Sequence, residues 1–242
     1  MPHELVHHYW HRQQCVQDAV VARYADQFAA GRLIVDVGAG YDPFSLSTEV
    51  VDIRRWDTFD NRTVHLVDLE ADSLPYTYKQ VDFLYSRHTL EDLHNPLHLC
   101  REMNRVARAG YIEVPSPASE FCRGVDGGKP HFRGYIHHRY FIWREADTLV
   151  FLPKYPYVEY VNMTEEQEDR LTDVLGSKPI VWNTYFPWVG SFRFKLLRHD
   201  IDFAFGQGYA DLIMKAVNAS ITDAQRFASE FGLGGATFVP SA

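Results

Sequence analysis

The first half of the chain alternates between short apolar runs and segments with apolar residues at helical spacing. Helical spacing over 4–29 predicts one helix that stops before Gly31. A second helix is expected from Asn95-Pro96 to Gly110, because Asn is a favoured N-cap and Pro suits the first helical position. Short apolar runs predict five strands, at 32–38, 50–53, 64–67, 81–85 and 111–114. Strands of this kind, separated by loops or helices, favour a parallel sheet with crossover connections.

The second half of the chain has a different pattern. Two antiparallel hairpins are predicted, 139–143 with 148–153 and 180–188 with 191–197. Helices are predicted at 164–175, 209–219 and 222–231, the last with Thr222 as its N-cap. The change near 115–120 comes without a low-complexity linker, so it marks a change of pattern and not a hinge.

Composition narrows the class of protein. The 242 residues correspond to one large domain or to one domain with an appendage, and 46% hydrophobic residues can form a sizeable core. No apolar run approaches the roughly 18 residues that a membrane-spanning helix needs, so no membrane partner is expected. The net charge of −8 argues against tight binding to nucleic-acid backbones, which requires a clustered positive surface. Three cysteines without a C-x-x-C motif, behind an N-terminus without an apolar signal stretch, predict a cytoplasmic protein.

A glycine-rich turn follows the first predicted strand. Residues 33–40 read Leu-Ile-Val-Asp-Val-Gly-Ala-Gly, and Gly38 and Gly40 allow a ligand to approach the backbone where a side chain would clash. Asp52 lies at the end of the second predicted strand, where a carboxylate can accept hydrogen bonds from both hydroxyls of a ribose. Taken alone, a Gly-x-Gly turn is explained equally well as an ordinary structural turn.

The order of several motifs resembles that of the class I S-adenosylmethionine-dependent methyltransferases, especially the type 11 subgroup. The segments that carry the resemblance are 35–40, 51–53, 68–75, 81–93, 95–96, 102–106 and 109–114. Together they cover the chain roughly from residue 32 to residue 117. Several weak motifs in the right order and spacing are more specific than any one of them.

The resemblance implies an α/β fold. It predicts a Rossmann-like, mostly parallel seven-stranded sheet with helices on both faces and one antiparallel strand near an edge. An N-terminal helix within 1–31 would cover the cofactor site, and the C-terminal half would add β-hairpins and helices. The methyltransferase domain would span 32–242, with a cofactor half at 32–117 and an acceptor-side half at 118–242.

The resemblance also implies S-adenosylmethionine as the cofactor and assigns residues to it. The implied cofactor-binding residues are Asp36, Gly38, Gly40, Asp52, Asp68, Leu69 and Ser86. Within this set the two glycines would pass under the methionine and the ribose, and Asp52 would hold the ribose hydroxyls. Asp68 and Leu69 would face the adenine, and residues 86–88 would face the methionine end and the acceptor.

Departures from the family pattern leave alternatives open. Only residues 41–49 separate the glycine turn from the second strand, which is short for the family, so the cofactor would depend on 4–29 for a cover. The family's usual Glu-His after the fourth strand is Glu91-Asp92 here. These departures keep open a non-catalytic scaffold, although the intact Gly38 and Gly40 argue against it.

The implied chemistry is an in-line displacement at a sulfonium methyl group, in which the protein positions donor and acceptor and a base assists a hydroxyl acceptor. The candidate bases are His88, His131, His137 and His138. The last three belong to the loop 124–139, whose four glycines would let it close over an acceptor; a surface loop leading into a hairpin explains it equally well. Arg133 and Arg139 either grip an anionic group of the acceptor or are ordinary surface charges.

The leading functional hypothesis is O-methylation of a small-molecule or glycan hydroxyl. An RNA-modifying methyltransferase is the alternative, against which the net charge argues. We expect no metal, because the sequence shows no Asp/His cluster with ligand spacing at the strand ends, and a solvated helix face explains the His7/His11 pair. The sequence leaves the oligomeric state open.

Overall fold

The structure is a computed structural model that describes residues 12–127, 129, 131–197 and 207–238. The helices in that part of the chain are α1 (Gln14–Arg23), α2 (Pro96–Val106), α3 (Pro117–Phe121), α4 (Glu165–Ser177) and α5 (Gln207–Glu230). The strands are β1 (Ile34–Val37), β2 (Glu49–Asp52), β3 (Thr63–Leu66), β4 (Phe83–Arg87), β5 (Ala109–Pro115), β6 (Tyr140–Glu145), β7 (Thr148–Pro153), β8 (Asn183–Val189) and β9 (Arg193–Leu196).

The main sheet has the strand order β3-β2-β1-β4-β5-β8. The first five strands are parallel, and β8 runs antiparallel to β5 at the edge. Ile34 and Phe83 point into the core on one face, and Val35 and Leu84 point into the core on the other. A sheet buried on both faces is typical of parallel α/β folds. The predicted fold class is confirmed, with six strands among the described residues where seven were expected.

β6, β7 and β9 build a separate sheet, and β8 alone of the described strands after α3 joins the main sheet. β6 pairs antiparallel with β7, and β9 pairs parallel with β7. The first predicted hairpin is therefore confirmed, with its turn at Ala146, whose φ is 54°. The Thr184 hydroxyl of β8 donates to the Ile142 carbonyl oxygen of β6 at 3.0 Å, which joins the two sheets.

The second hairpin, predicted from 180–188 and 191–197, is wrong because its two strands belong to different sheets. The chain turns at Gly190, which has a φ of 75°. Asn104 of α2 then holds Phe192 through hydrogen bonds to the Phe192 N–H (2.9 Å) and carbonyl oxygen (2.8 Å), and β9 continues along β7. The alternation of apolar and polar residues is the same for either partner strand, so it does not select one.

Two predicted helices have different boundaries in the structure. α1 ends at Arg23 and a short 3-10 segment follows at Ala25–Phe28, so one helix over 4–29 is wrong within the described residues; 4–11 lie outside them. α5 is continuous where two helices were predicted. Thr222 is not an N-cap, and its hydroxyl donates to the Asn218 carbonyl oxygen at 3.0 Å as in a helix interior. None of the described helices combines the length and apolar character needed to cross a membrane.

The sheet is closely packed around Gly110 of β5. A Cβ atom at this position would lie 2.6 Å from the Leu84 carbonyl oxygen of β4 and 2.6 Å from the Trp188 ring of β8. The first contact is with backbone, which cannot move without disturbing the strand pairing. Gly110 therefore allows β4, β5 and β8 to pack against one another.

We expect Gly110→Ala to lower the free energy of unfolding by about 1–3 kcal/mol, the usual cost of overpacking. Gly176→Ala is the matched control, because Gly176 lies in α4 with nothing within 4 Å of an added Cβ. Its stability should stay equal or rise by up to ~1 kcal/mol through better helix propensity. Urea unfolding measures both, and a Gly110→Ala protein as stable as the parent would contradict the close packing.

A buried carboxylate holds the loop that follows β1. Asp36 Oδ2 accepts a hydrogen bond from the Phe44 N–H at 2.6 Å, and the Phe44 ring stacks on Tyr85 of β4 with 4.4 Å between ring centroids. Burial raises the pKa of Asp36 to about 7, although the Phe44 N–H and the nearby arginines oppose the shift. Asp36 therefore fixes the path of the loop from inside the protein.

The raised pKa of Asp36 predicts a pH dependence of stability. The folded protein binds this proton up to about pH 7, whereas the unfolded chain releases it near pH 3.8, so Asp36 makes stability fall as pH rises between these values. Asp36→Asn keeps an acceptor for Phe44 and removes the titration. We expect its melting temperature to rise relative to the parent from pH 5 to pH 8.

The measurement is thermal unfolding of both proteins in one series of buffers. Asp36→Ala, which lacks the acceptor, should melt below Asp36→Asn at every pH. A difference between Asp36→Asn and the parent that does not change with pH would show that Asp36 does not titrate in this range.

Candidate active site

A cavity of about 450 Å³ opens at the carboxyl ends of β1 and β4. It is lined by the turn after β1, the turn after β4 and the loop before β6. The lining residues are Gly38, Ala39, Gly40, Tyr41, Asp42, Arg87, His88, Glu91, Asp92, Asp126, Gly127, Tyr135, His137 and His138. Ligands of open α/β sheets bind outside the carboxyl ends of the strands, so this is the expected place for a site.

The two glycines of the turn have different roles. Gly38 has a φ of 73°, and a Cβ there would collide with the Thr89 side chain, so only glycine fits beside the turn after β4. Gly40 has a φ of 54°, and an added Cβ would meet nothing within 4 Å. The backbone at Gly40 is therefore open to a ligand, and its contact with a cofactor stays a prediction.

Asp52 lies next to the glycine turn. Its Oδ2 accepts from the Gly40 N–H at 2.9 Å, and its Oδ1 accepts from the Arg54 N–H at 3.2 Å. The side chain is buried and is not among the residues that line the cavity. Asp52 thus ties the end of β2 to the turn, and its role towards a ribose stays a prediction.

The other predicted cofactor residues also lie outside the cavity lining. Asp68 is exposed, and its Oδ1 accepts from the Glu70 N–H at 2.9 Å, while Leu69 is buried. The Ser86 hydroxyl donates to the Val37 carbonyl oxygen at 2.9 Å and joins β4 to β1. Their contacts with a cofactor stay predictions.

His88 occupies a strained position at the end of β4. Its φ is 50°, and its N–H donates to the Glu113 carbonyl oxygen at 2.8 Å. Burial, together with the charge of Arg87, lowers the pKa of His88 to about 3. A neutral imidazole with such a low pKa takes up a proton poorly, so His88 is a weak base.

Glu91 is a buried acid that the sequence analysis treated only as a departure from the family. Its side chain is 1% exposed, and neither carboxylate oxygen has a hydrogen-bond partner among the described residues. Burial raises its pKa to about 7, against the opposing charge of His138. His88 Nδ1 lies 3.4 Å from Oε1, too poorly placed to donate a hydrogen bond. A buried carboxyl group without a hydrogen bond is costly and is expected where a ligand supplies one.

His138 is held by a buried network. Its Nδ1 lies 2.6 Å from Glu120 Oε1, and Lys154 Nζ donates to Glu120 Oε2 at 2.5 Å. Although burial opposes both shifts, the pKa of Glu120 falls to about 2 and that of His138 is raised, because the opposite charges stabilise each other. The ring is thereby oriented with Nε2 turned towards Asp92, at 3.9 Å from Oδ1.

Asp92 brings the loop histidines together. Its Oδ1 lies 3.7 Å from His137 Nε2, and the potential ligand atoms of Asp92, His137 and His138 all lie within 4.8 Å of one another. The argument that no such cluster exists at the strand ends is therefore wrong, because the fold unites residues far apart in the sequence.

Arg133 does not grip a ligand in this cavity. Its side chain is 1% exposed, and its guanidinium bonds Glu168 Oε1 at 2.6 Å and the carbonyl oxygens of Phe121 and Val161 at 2.8 and 3.0 Å. The assignment to the acceptor is corrected: Arg133 joins α3, α4 and the loop between them.

Two more predicted residues lie outside the cavity lining. Arg139 is exposed, and its Nε donates to the Asp92 carbonyl oxygen at 2.9 Å. His131 is exposed, and its carbonyl oxygen accepts from Arg123 at 2.6 Å. Of the predicted bases, the structure brings His88, His137 and His138 to the cavity.

Several acidic residues of the cavity were not predicted from the sequence. Four acidic residues line it: Asp42, Glu91, Asp92 and Asp126. Arg87 is the arginine in the lining. Asp42 pairs with Arg87 at 3.0 Å and with Arg12. The Glu-Asp pair at 91–92 was visible in the sequence but was interpreted as a departure from the family pattern. The acidic lining favours a cationic or uncharged ligand.

Comparison with known proteins gives one family match. Residues 35–112 match the family model described as a methyltransferase domain. No curated protein is significantly similar to the chain in sequence.

Solved structures to which the chain is similar include S-adenosylmethionine-dependent methyltransferases. One is from Archaeoglobus fulgidus, with 23% identity over 44% of this chain and 55% of that chain and a TM-score of 0.31. Another, from Aquifex aeolicus, has 20% identity over 40% and 64% and a TM-score of 0.30. The YcgJ protein of Bacillus subtilis has 16% identity over 41% and 51% and a TM-score of 0.33. The chain thus spans between 51% and 64% of the length of these proteins.

The matched residues begin in β1, contain the glycine turn and end in β5, so the match coincides with the parallel strands that carry the cavity. The similarity to a methyltransferase domain thus lies in residues 35–112, about a third of the chain.

Proposed function

We propose that this protein transfers the methyl group of S-adenosylmethionine to a hydroxyl oxygen of a small molecule or a glycan. The observation that carries the proposal is the cavity that joins the Gly38–Gly40 turn to the cluster of Asp92, His137 and His138. The turn belongs to the matched methyltransferase domain, and the cluster supplies polar groups next to it.

The residues of the turn suit the cofactor. A Cβ at Gly40 would point into open space, and the cavity of about 450 Å³ lies within the range of ligand sites. The glycine backbone would hold the methionine and ribose, Asp52 the ribose hydroxyls, Asp68 and Leu69 the adenine. When bound, the cofactor supplies an electrophilic methyl group on a positively charged sulfur, which the acidic lining favours.

His138 is the best-placed proton acceptor on the acceptor side. In its neutral form, with Nδ1–H donating to Glu120, His138 keeps a lone pair on Nε2 on the side of Asp92 and the cavity. A carboxylate that orients a histidine in this way fixes the tautomer needed for a base. His137 and Asp92 would position the hydroxyl, so that its oxygen loses the proton as it attacks the methyl carbon.

The charges of the cavity favour an uncharged or cationic acceptor. Its lining carries four carboxyl groups, and the two arginines proposed to grip an anion, Arg133 and Arg139, are not part of it. An RNA acceptor would bring phosphates to this acidic surface, which is unfavourable. A neutral hydroxyl of a sugar or another small molecule meets no such repulsion.

The N-terminal segment would cover the cofactor. Arg12, just before α1, pairs with Asp42 of the cavity and donates to the Pro43 carbonyl oxygen at 2.6 Å. Residues 4–11 of the expected cover lie outside the described residues. The cytoplasm is the proposed location, in keeping with three unpaired cysteines.

Asp52→Ala should weaken S-adenosylmethionine binding about 10- to 150-fold, which corresponds to the loss of hydrogen bonds to a charged group. The control is Asp82→Ala. Asp82 lies just before β4 and accepts from the Leu33 N–H, just before β1, at 3.0 Å. Both residues lie at the amino ends of the strands, opposite the cavity. Calorimetric titration measures both variants. An Asp52→Ala protein that binds as tightly as the parent would show that the ribose assignment is wrong.

His138→Ala should lower methyl transfer by ~10²-fold or more while S-adenosylmethionine still binds. Transfer is followed with a labelled methyl group and panels of glycans, small hydroxyl compounds and tRNA. His131→Ala is the control, because its exposed side chain lies outside the cavity. Labelling of tRNA alone would contradict the proposed acceptor class, and full transfer by His138→Ala would contradict the base.

A further inference from the structure

We propose that Asp92, His137 and His138 bind a divalent transition-metal ion at the acceptor side of the cavity. The site itself depends only on these side chains. Its role in catalysis, which is to hold and activate the acceptor oxygen, rests on the proposed methyl transfer.

The spacing of the three side chains suits one ion. Asp92 Oδ1 lies 3.7 Å from His137 Nε2 and 3.9 Å from His138 Nε2, and all three ligand atoms lie within 4.8 Å of one another. Two ligands of a tetrahedral Zn²⁺ at 2.0–2.1 Å lie about 3.4 Å apart, so the two distances from Asp92 would contract by a few tenths of an ångström around one ion. Asp92 and His137 have 46% and 60% exposed side chains, which leaves them free to make this adjustment.

The surroundings of His138 support a metal ligand. Histidines that bind metals usually donate the second ring N–H to a carboxylate, which fixes the ring and makes the ligating nitrogen more basic. Here Nδ1 is bonded to the fully buried Glu120, which Lys154 holds from the other side. The network thus presents Nε2 to the cluster in a fixed orientation.

Glu91 is an independent sign of a cationic ligand. This acid lines the same cavity, next to Asp92 in the chain. His88 Nδ1 lies 3.4 Å from its Oε1, but neither of its buried oxygens accepts a hydrogen bond from the described residues. With Asp92 beside it, the cavity wall carries two neighbouring carboxyl groups. A cation bound there would offset their repulsion and the cost of burying Glu91.

The donor set selects the class of metal. Two imidazoles and one carboxylate suit Zn²⁺, Mn²⁺ or Fe²⁺, whereas Mg²⁺ and Ca²⁺ prefer oxygen ligands. Three protein ligands leave coordination positions open for a water or an acceptor oxygen. With the ion bound, His138 Nε2 would be a ligand and would no longer accept the proton. The ion would instead lower the pKa of the bound hydroxyl, whose proton would pass to water in the cavity, and the resulting alkoxide oxygen would attack the methyl carbon.

The test is metal binding to the tag-free full chain after chelation and dialysis. Titration calorimetry with Zn²⁺ should give one site with a Kd in the micromolar range or tighter, and Mg²⁺ should not compete. Co²⁺ should give visible absorption bands that report imidazole and carboxylate ligands. Asp92→Ala, His137→Ala and His138→Ala should each weaken binding at least tenfold.

Two controls separate this site from other histidines. His131→Ala removes an exposed histidine of the same loop and should leave metal affinity unchanged. His7→Ala/His11→Ala removes the pair spaced for helical ligation near the N-terminus and should also leave it unchanged. Loss of binding in the double variant, or equal affinity in the parent and the three cluster variants, would overturn the proposal.

S-adenosylmethionine affinity is measured on the same chelated samples. Cofactor binding without a metal site overturns the metal proposal and leaves the proposed function intact. A metal site without cofactor binding overturns the proposed function and leaves the metal proposal intact. If both bind but the chelated protein transfers methyl groups at the full rate, the catalytic role of the ion is overturned.

Discussion

The acceptor side of the cavity depends on the burial of one charge, that of Glu120. Its carboxylate lies in α3 with no exposed surface, so its oxygens need partners from the protein. Lys154 supplies one from the segment after β7, and His138 supplies another from the segment before β6. Gly134 packs against the same residue, since a Cβ there would lie 2.5 Å from the Glu120 carbonyl oxygen. Satisfying one buried carboxylate thus draws the loop, a strand end and α3 together.

The side of the cavity formed by the glycine turn is organised by close packing and by buried carboxylates that accept hydrogen bonds from backbone N–H groups. Gly38 lies against Thr89 and Asp52 accepts from the Gly40 N–H, so the turn is held from both neighbouring strands. Asp36 fixes the continuing loop at Phe44. The two sides meet because Arg87 and His88, at the end of β4, lie between the turn and the histidine loop, and both line the cavity.

Much of the parallel sheet could be predicted from the sequence, because its strands are buried on both faces and read as apolar runs. The glycine turn could be predicted as well, since it needs a residue without a side chain at Gly38. The pairing of β9 with β7 could not be predicted, because the alternation of apolar and polar residues is the same whichever strand lies alongside. The burial of Arg133 was also missed. A loop arginine looks exposed until the structure shows Glu168 of α4 beside it.

The cluster at the acceptor side was the hardest feature to predict, and Asp92 explains why. In the resembling family a histidine follows the glutamate after the fourth strand, and this chain has Asp92 there. Viewed along the sequence, the change is the loss of an imidazole. In the fold, a carboxylate takes the place of that imidazole and lies next to two others, His137 and His138 of the loop before β6. The Glu120 network holds one of them in place. A carboxylate between two histidines attracts protons and cations more strongly than a third histidine would. Asp92 therefore favours the binding of a proton or a cation at this site.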